Sequence, residues 1–262
     1  MPEGDTIFRI AVQLRKVLEN QPIVESRGRW EVEDAASLVD RCVDGIEARG
    51  KHLLMHFDDS RVLHSHMGMT GSWHIYRHGE AWQKSQKAAA LVLETEKFVV
   101  CCFSPKLIEL ITATRLKRNE YLNRLGPDLL GPTPEDSIVL RRFRSQNAVP
   151  IGQVIMNQTV VCGIGNVYKS EVLFLEQIHP LTLVRDLTDE QLLNIVKRSI
   201  DLMRRNLESY PRRTRFSQGG NVWVYSRSGD ECLKCGAEVK MIRQGDLGRS
   251  TYFCPDCQGR RE

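Results

Sequence analysis

The sequence predicts an α+β protein built in sections: a strand-rich N-terminal half that favours a β-sandwich, a helical stretch beyond it, and a cysteine-bearing tail. Three observations predict this. Strand-like patterning dominates residues 40–105, helical patterning follows a Gly/Pro-rich break near residues 126–134, and two C-x-x-C pairs stand near the C-terminus.

Residues 5–20 form the first predicted element, an amphipathic helix in which Ile7, Phe8, Ile10, Ala11, Leu14, Val17 and Leu18 recur at helical spacing. Asp5 or Thr6 is its expected N-cap. Strands are predicted at residues 51–57, 61–66, 72–77, 89–94 and 98–103, some separated by turn-forming stretches such as Asp58-Asp59-Ser60. Several short strands at this spacing favour a sandwich. Gly126-Pro127-Asp128 and Gly131-Pro132-Thr133-Pro134 make the clearest break in the chain. Helices are predicted beyond it at residues 135–144, 151–157, 166–177 and 188–206, and a Gly/Ser-containing stretch at 217–221 leads into the tail. Two domains with a cleft between them are the simplest organisation, and such clefts are where sites tend to sit.

Composition excludes some classes of function. The longest apolar runs, such as Phe98–Phe103, are far too short to cross a bilayer, so no membrane partner is expected. The start, Met-Pro-Glu-Gly-Asp-Thr, carries neither a basic nor an apolar signal region, and a cytoplasmic protein is expected. The net charge of +4 is unevenly placed: residues 203–262 hold twelve Lys/Arg against seven Asp/Glu, leaving −1 for the rest. A basic tail suits a polyanionic partner, although a solvated charged face has the same composition.

Four of the eight cysteines, Cys42, Cys101, Cys102 and Cys162, are scattered and read as small apolar fillers. The other four are paired: Cys232 with Cys235, and Cys254 with Cys257, eighteen residues apart. Two such knuckles can present four thiolates tetrahedrally to Zn2+, and residues 237–253 between them suffice for one β-hairpin. Four protein ligands leave no open position for a reacting water, so the zinc is expected to be structural.

Two further segments carry chemistry. Gly163-Ile164-Gly165-Asn166 opens onto a helical pattern, where free N–H groups and the helix dipole favour an anion, with Asn166 available as cap and phosphate donor. At the N-terminus, removal of Met1 would leave Pro2 with a secondary amine able to attack an aldehyde-like carbon and form an iminium. Glu3 follows as a candidate acid/base. An ordinary interhelical turn and an ordinary N-terminal turn are the plainer readings of the two segments taken singly.

Taken as an ordered set, the motifs resemble the formamidopyrimidine-DNA glycosylase / endonuclease VIII family. The matching segments are Pro2-Glu3-Gly4, Arg49-Gly50-Lys51-His52-Leu53-Leu54, Ser65-His66-Met67-Gly68-Met69-Thr70-Gly71, Arg124-Leu125-Gly126-Pro127-Asp128, residues 163–171, and Gly248-Arg249-Ser250-Thr251-Tyr252-Phe253-Cys254. The resemblance implies an N-terminal β-sandwich flanked by helices (residues 1–125), a linker (126–134), a helix-two-turns-helix domain (135–221) and a zinc ribbon (222–262). It implies a monomeric, nucleoid-associated base-excision enzyme that flips a damaged nucleotide out of DNA. Pro2 corresponds to the Schiff-base nucleophile, and Glu3 to the acid of glycosyl cleavage. Lys51, on a strand of the sandwich, corresponds to a phosphate contact that assists β-elimination. Asn166 and Arg249 would grip phosphates, Arg249 also assisting δ-elimination; Arg124 would be a further DNA contact, and Met69 an apolar wedge.

The chain departs from the family pattern at four places. Thr6 stands where the family often has Glu, which leaves one acidic role unfilled or moved to Asp5. Cys102-Phe103-Ser104-Pro105-Lys106 lacks the Arg-Phe-Gly wedge of the formamidopyrimidine branch, and Gly68-Met69-Thr70 replaces the Gln-Leu-Tyr wedge of bacterial endonuclease VIII. Residues 210–221 are short for a long lesion-capping loop. These departures point toward the endonuclease VIII side, oxidised pyrimidines, and acceptance of duplex as well as single-stranded or bubble DNA. The alternatives are a non-catalytic damaged-DNA-binding protein of the same architecture, and a zinc-ribbon transcription or ribosome-associated protein, which leaves the N-terminal motif unexplained.

Overall fold

Helix α1 (Gly4–Leu18) opens the chain and buries Ile7, Ala11, Leu14 and Leu18, a stripe at helical spacing. It starts one residue before the predicted helix. Its N-cap is Glu3, with no side-chain capping bond, so Asp5 and Thr6 lie inside the first turn instead of capping it. The computed structural model describes residues 2–208, 211–217 and 219–259, with Trp30, Glu31 and Glu33 described by backbone alone. The chain divides into two compact units, Met1–Asn123 and Arg124–Glu262.

Eight strands build the first unit: β1 (Glu25–Gly28), β2 (Val43–Arg49), β3 (His52–Phe57), β4 (Arg61–His66), β5 (Ser72–Arg77), β6 (Ala89–Glu94), β7 (Phe98–Phe103) and β8 (Leu107–Thr112). They form two antiparallel four-stranded sheets, ordered β1-β6-β7-β5 and β2-β3-β4-β8. Period-two alternation places Leu53, Met55, Leu63 and Ile108 of one sheet in a buried cluster with Leu91, Leu93, Val100 and Cys102 of the other. The same alternation turns His52, His64, His66 and Glu109 to the opposite face. The predicted sandwich is present. β1, β2, β8 and the 3-10 segment Trp30–Leu38 were not among the predicted elements, and Lys51 precedes β3 where a strand start was expected. Two short helices, α2 (Ala113–Lys117) and α3 (Glu120–Arg124), follow β8.

In the second unit, α4 (Asp136–Arg144), α5 (Ile151–Val154), α6 (Asn166–Leu175) and α7 (Asp189–Arg205) pack Phe143, Ile155, Ile164, Tyr168, Leu192 and Ile195 into one core. A capping box starts α7: Thr188 Oγ1 accepts from Gln191 N at 3.2 Å, and Gln191 Oε1 accepts from Thr188 N at 2.9 Å. α5 is shorter than predicted: Met156 N and Asn157 N donate three residues back, to the Gln153 and Val154 carbonyls at 3.1 and 2.9 Å, so the α-helical path tightens and ends. Strands β9 (Lys240–Gln244) and β10 (Arg249–Phe253) pair antiparallel as the expected hairpin. Among the described residues, no helix is long and apolar enough to cross a membrane.

Candidate active site

Pro2 is half-buried immediately before α1, and Glu3 is fully buried at its N-cap. The Glu3 carbonyl accepts from Thr6 N at 3.0 Å and Ile7 N at 3.1 Å, which fixes the backbone that carries Pro2. The positive end of a 15-residue helix therefore faces this pair, which favours a neutral amine there. Asp5 is also fully buried, and Thr6 Oγ1 donates to its Oδ1 at 3.4 Å. A buried acid thus adjoins the position where the family often carries Glu.

The fold places this N-terminus near Lys51. Glu19 bridges Val43, and Arg15 Nε donates to the Ile46 carbonyl at 2.6 Å, so α1 runs antiparallel to β2. Fifteen helical residues span about 22 Å and seven strand residues about 23 Å, which brings the start of α1 to the Arg49 end of β2. There Gly50 and Lys51 form the two-residue turn joining Arg49 to its partner His52. Gly50 has φ +60, as the first central residue of such a tight hairpin requires. Lys51 accordingly sits on a turn, not on a strand.

Met69 lies at the same end of the sheet. His52 pairs with His66, the last residue of β4, and the loop of residues 67–71 follows directly. Gly68 has φ +63, and a Cβ there would lie 2.8 Å from Lys106 Cβ, so the loop packs tightly at its base. Its tip is open: Met69 is 76% exposed, an apolar side chain held out from the sheet. Pro2, Glu3, Lys51 and Met69 are therefore gathered at one end of the β2-β3-β4-β8 sheet.

In the second unit, Gly165 caps α6 and Asn166 is its first helical residue, so the predicted Asn166 cap is one position out. Asn166 Oδ1 is buried with no hydrogen-bond partner among the described residues. Arg249 begins β10 and is half-exposed. Two bonds tie its strand to α6: Lys169 Nζ donates to the Ser250 carbonyl at 3.0 Å, and Tyr252 N donates to Ser170 Oγ at 3.2 Å. Asn166 and Arg249 are thereby set on one connected piece of structure. Arg124 is exposed at the end of α3.

Glu171 is a structural participant to which the sequence alone assigned no role. Fully buried on α6, its carboxylate accepts from the Trp223, Val224 and Tyr225 amides at 2.7, 2.8 and 2.7 Å, and from the Thr214 hydroxyl. Burial pushes its carboxyl up from the usual range, against the pull of those donors. An acid directly before the apolar run Val172-Leu173-Phe174-Leu175 was the available signal.

The cysteine quartet comes together as its spacing predicts. The four Sγ atoms lie within 4.8 Å of one another, with Cys232 to Cys257 at 3.9 Å and Cys235 to Cys254 at 3.4 Å. A tetrahedral Zn2+ with Zn–S bonds near ~2.3 Å needs sulfurs about 3.8 Å apart, so the donor set fits. Cys101, Cys102 and Cys162 are buried as fillers, whereas Cys42 is half-exposed.

Three family models match in chain order: the formamidopyrimidine-DNA glycosylase N-terminal domain over residues 1–105, the formamidopyrimidine-DNA glycosylase H2TH domain over 125–217, and the zinc finger found in FPG and IleRS over 229–259. Among curated relatives, the probable endonuclease 8 2 of Streptomyces coelicolor is 32% identical, covering 98% of this chain and 94% of its own. A DNA-(apurinic or apyrimidinic site) lyase of Mycolicibacterium smegmatis is 33% identical, with 98% and 99% covered. A crystal structure of Lactococcus lactis Fpg (MutM) with DNA containing N7-benzyl-Fapy-dG shares the fold at TM-score 0.84 and 23% identity, covering 99% of this chain and 100% of that one. With its sandwich, its helical domain and its four-cysteine finger in that order, the chain belongs to the formamidopyrimidine-DNA glycosylase / endonuclease 8 family.

Proposed function

We propose that this chain is a bifunctional base-excision-repair enzyme, a DNA glycosylase and abasic-site lyase acting through a Schiff base on Pro2. The observation that carries the proposal is the pairing of Pro2 with a fully buried Glu3 at the positive end of α1. Once Met1 is removed, the Pro2 amine attacks the sugar C1′ of a flipped nucleotide as the damaged base departs. Glu3 delivers the proton that this cleavage needs; the amine nitrogen then loses its own proton, and its lone pair expels O4′, which is protonated as the C1′–O4′ bond breaks and the sugar ring opens to the iminium. The iminium acidifies the C2′ hydrogens. Loss of one expels the 3′ phosphate (β-elimination), a second elimination expels the 5′ phosphate, and hydrolysis frees Pro2.

The remaining residues serve the phosphates and the gap. Lys51 contacts a phosphate and assists β-elimination; Asn166 and Arg249 grip phosphates around the lesion, with Arg249 assisting δ-elimination. Arg124 adds a DNA contact, and Met69 fills the space left by the flipped base. The division into a catalytic sandwich, a linker, a helix-two-turns-helix domain and a ribbon, at the boundaries expected from the sequence, belongs to the same proposal. So does action as a monomer.

Oxidised pyrimidines are the proposed substrates. Two observations support this choice. Cys102 and Phe103 are fully buried at the end of β7, and Ser104 turns at φ +41 into β8, which leaves little room for a projecting wedge. Thr214 N donates to the Asn221 carbonyl at 2.8 Å, which closes the stretch between them into a short loop; Tyr210 and Gln218 lie outside the described residues. With fewer contacts to the opposite strand, the protein also accepts single-stranded or bubble DNA. Single-turnover excision on matched duplexes carrying thymine glycol, 5-hydroxyuracil or 8-oxoguanine tests the choice. Faster release of a pyrimidine lesion is expected; faster release of 8-oxoguanine opposite cytosine than of every pyrimidine overturns the specificity and leaves the Pro2 chemistry standing.

A further inference from the structure

The outer face of the β2-β3-β4-β8 sheet carries a hydrogen-bonded row with no part in the chemistry above. His52 Nδ1 lies 2.8 Å from His64 Nε2, and His64 Nδ1 lies 3.0 Å from Glu109 Oε1. Both rings are buried, at 5% and 2% exposure. The arrangement follows from register: His64 stands directly opposite Glu109, and His52 opposite His66.

With both rings neutral, donor and acceptor requirements order the protons. The Glu109 carboxylate accepts, so His64 carries its hydrogen on Nδ1 and offers the Nε2 lone pair. His52 must then donate from Nδ1, leaving its own Nε2 as an acceptor. Across the ladder, His66 lies 4.7 Å from His52 between ring centroids, and its Nδ1 accepts the Gly68 N–H at 3.2 Å. Each of these two rings adjoins a loop at the proposed site: Lys51 precedes His52, and the Met69 loop follows His66. The cations Arg49, Lys51 and Lys106 lie near the row, Tyr121 packs its ring edge 5.4 Å from His52, and Arg115 Nη2 lies 3.8 Å from Glu109 Oε2. Burial and the nearby cations keep His52 and His66 neutral.

We infer that Glu109 and His64 are positioning residues that act through His52 and hold the Lys51 turn against the Met69 loop; the inference rests on the lyase reading of this end of the sheet. Glu109→Gln is the discriminating change, since its amide can donate to His64 Nδ1. The protons of both rings can then reverse, with no change in volume. Glu109→Asp retains an acceptor-only group.

The test uses the full-length, zinc-loaded protein. Nitrogen-15 NMR of the histidine rings reports the tautomers, and single-turnover strand cleavage at a preformed abasic site reports the function. The wild type is expected to show Nδ1–H on both His52 and His64. The Gln variant is expected to show Nε2–H signals and about tenfold slower cleavage, with DNA affinity and melting temperature close to wild type. The Asp variant should keep the wild-type tautomers and recover most of the rate. Unchanged tautomers in the Gln variant, or altered tautomers with an unchanged rate, overturn the positioning role. A wild type that cleaves no abasic strand overturns the lyase reading beneath it, and the inference with it.

Discussion

Glu3 concentrates the account at the scale of single residues. A carboxyl with no exposure, set on the cap of a helix beside Pro2, is placed for one proton transfer and not for binding phosphate, which needs positive charge. Glu3→Gln is therefore expected to slow base excision by about 10²–10⁴-fold, while strand cleavage at a preformed abasic site is partly kept. Equal loss of both activities with normal DNA affinity would contradict this role. Pro2, Glu3 and Lys51 stand in motifs, which makes them candidates from the sequence alone, but their surroundings were not legible there. Lys51 proved to be a turn residue because pairing of Arg49 with His52 sets where β3 begins, and pairing is a long-range fact. The His52, His64 and Glu109 row escaped notice for the same reason, since strand alternation puts residues on one face but only register sets them opposite one another.

Among the elements, the zinc hairpin ties stability to binding. Arg249 opens β10, the strand that leads into Cys254, and α6 grips that strand through Lys169 and Ser170. Structural tetrathiolate sites supply folding free energy directly, on the order of 10 kcal/mol. Cys254→Ser is expected to lower the zinc content, melt the ribbon locally and weaken DNA binding by tenfold or more, by rough estimate from one lost charged contact. Metal analysis with fluorescence anisotropy on an abasic-site duplex checks this; full affinity in a zinc-free variant would separate Arg249 from the ribbon. Five strands, the helices α1, α4, α6 and α7, and the hairpin were legible from hydrophobic period and cysteine spacing. β1 was not, being four residues long with only Ser26 buried; β2 was not, since a bulge between Val43 and Gly45 breaks its alternation; and β8 was not, since Leu107-Ile108-Glu109-Leu110-Ile111 lacks a clean one.

For the whole molecule, the buried histidines set an acid limit. Burial first, then the neighbouring histidines and cations, push the His52 ring down to about 3, and His66 down to about 4 by burial and nearby Lys106 and Lys51. Both values fall below the ordinary histidine range, so between those values and about 6.5 the unfolded chain takes up protons that the fold refuses. Stability is complete above that window and declines as pH falls through it, by about 1.4 kcal/mol per pH unit for His52 alone. Urea midpoints should hold from pH 7.5 to about 6.5 and fall steadily from there to 4.5, and His52→Gln should flatten that fall. A midpoint constant across that range would contradict the buried neutral histidines. The order of sections was legible from the change of hydrophobic period and the Gly/Pro break, because both are local signals.

The central claim is that Pro2 forms the covalent bond to DNA, and trapping the intermediate tests it most directly. Borohydride reduction of the protein on an abasic-site oligonucleotide, followed by proteolysis and mass spectrometric mapping, identifies the linked residue. A single adduct is expected on the N-terminal peptide at Pro2, strongly diminished in Pro2→Gly. An adduct mapped to Lys51 or to any other lysine, with Pro2 unmodified, would contradict it.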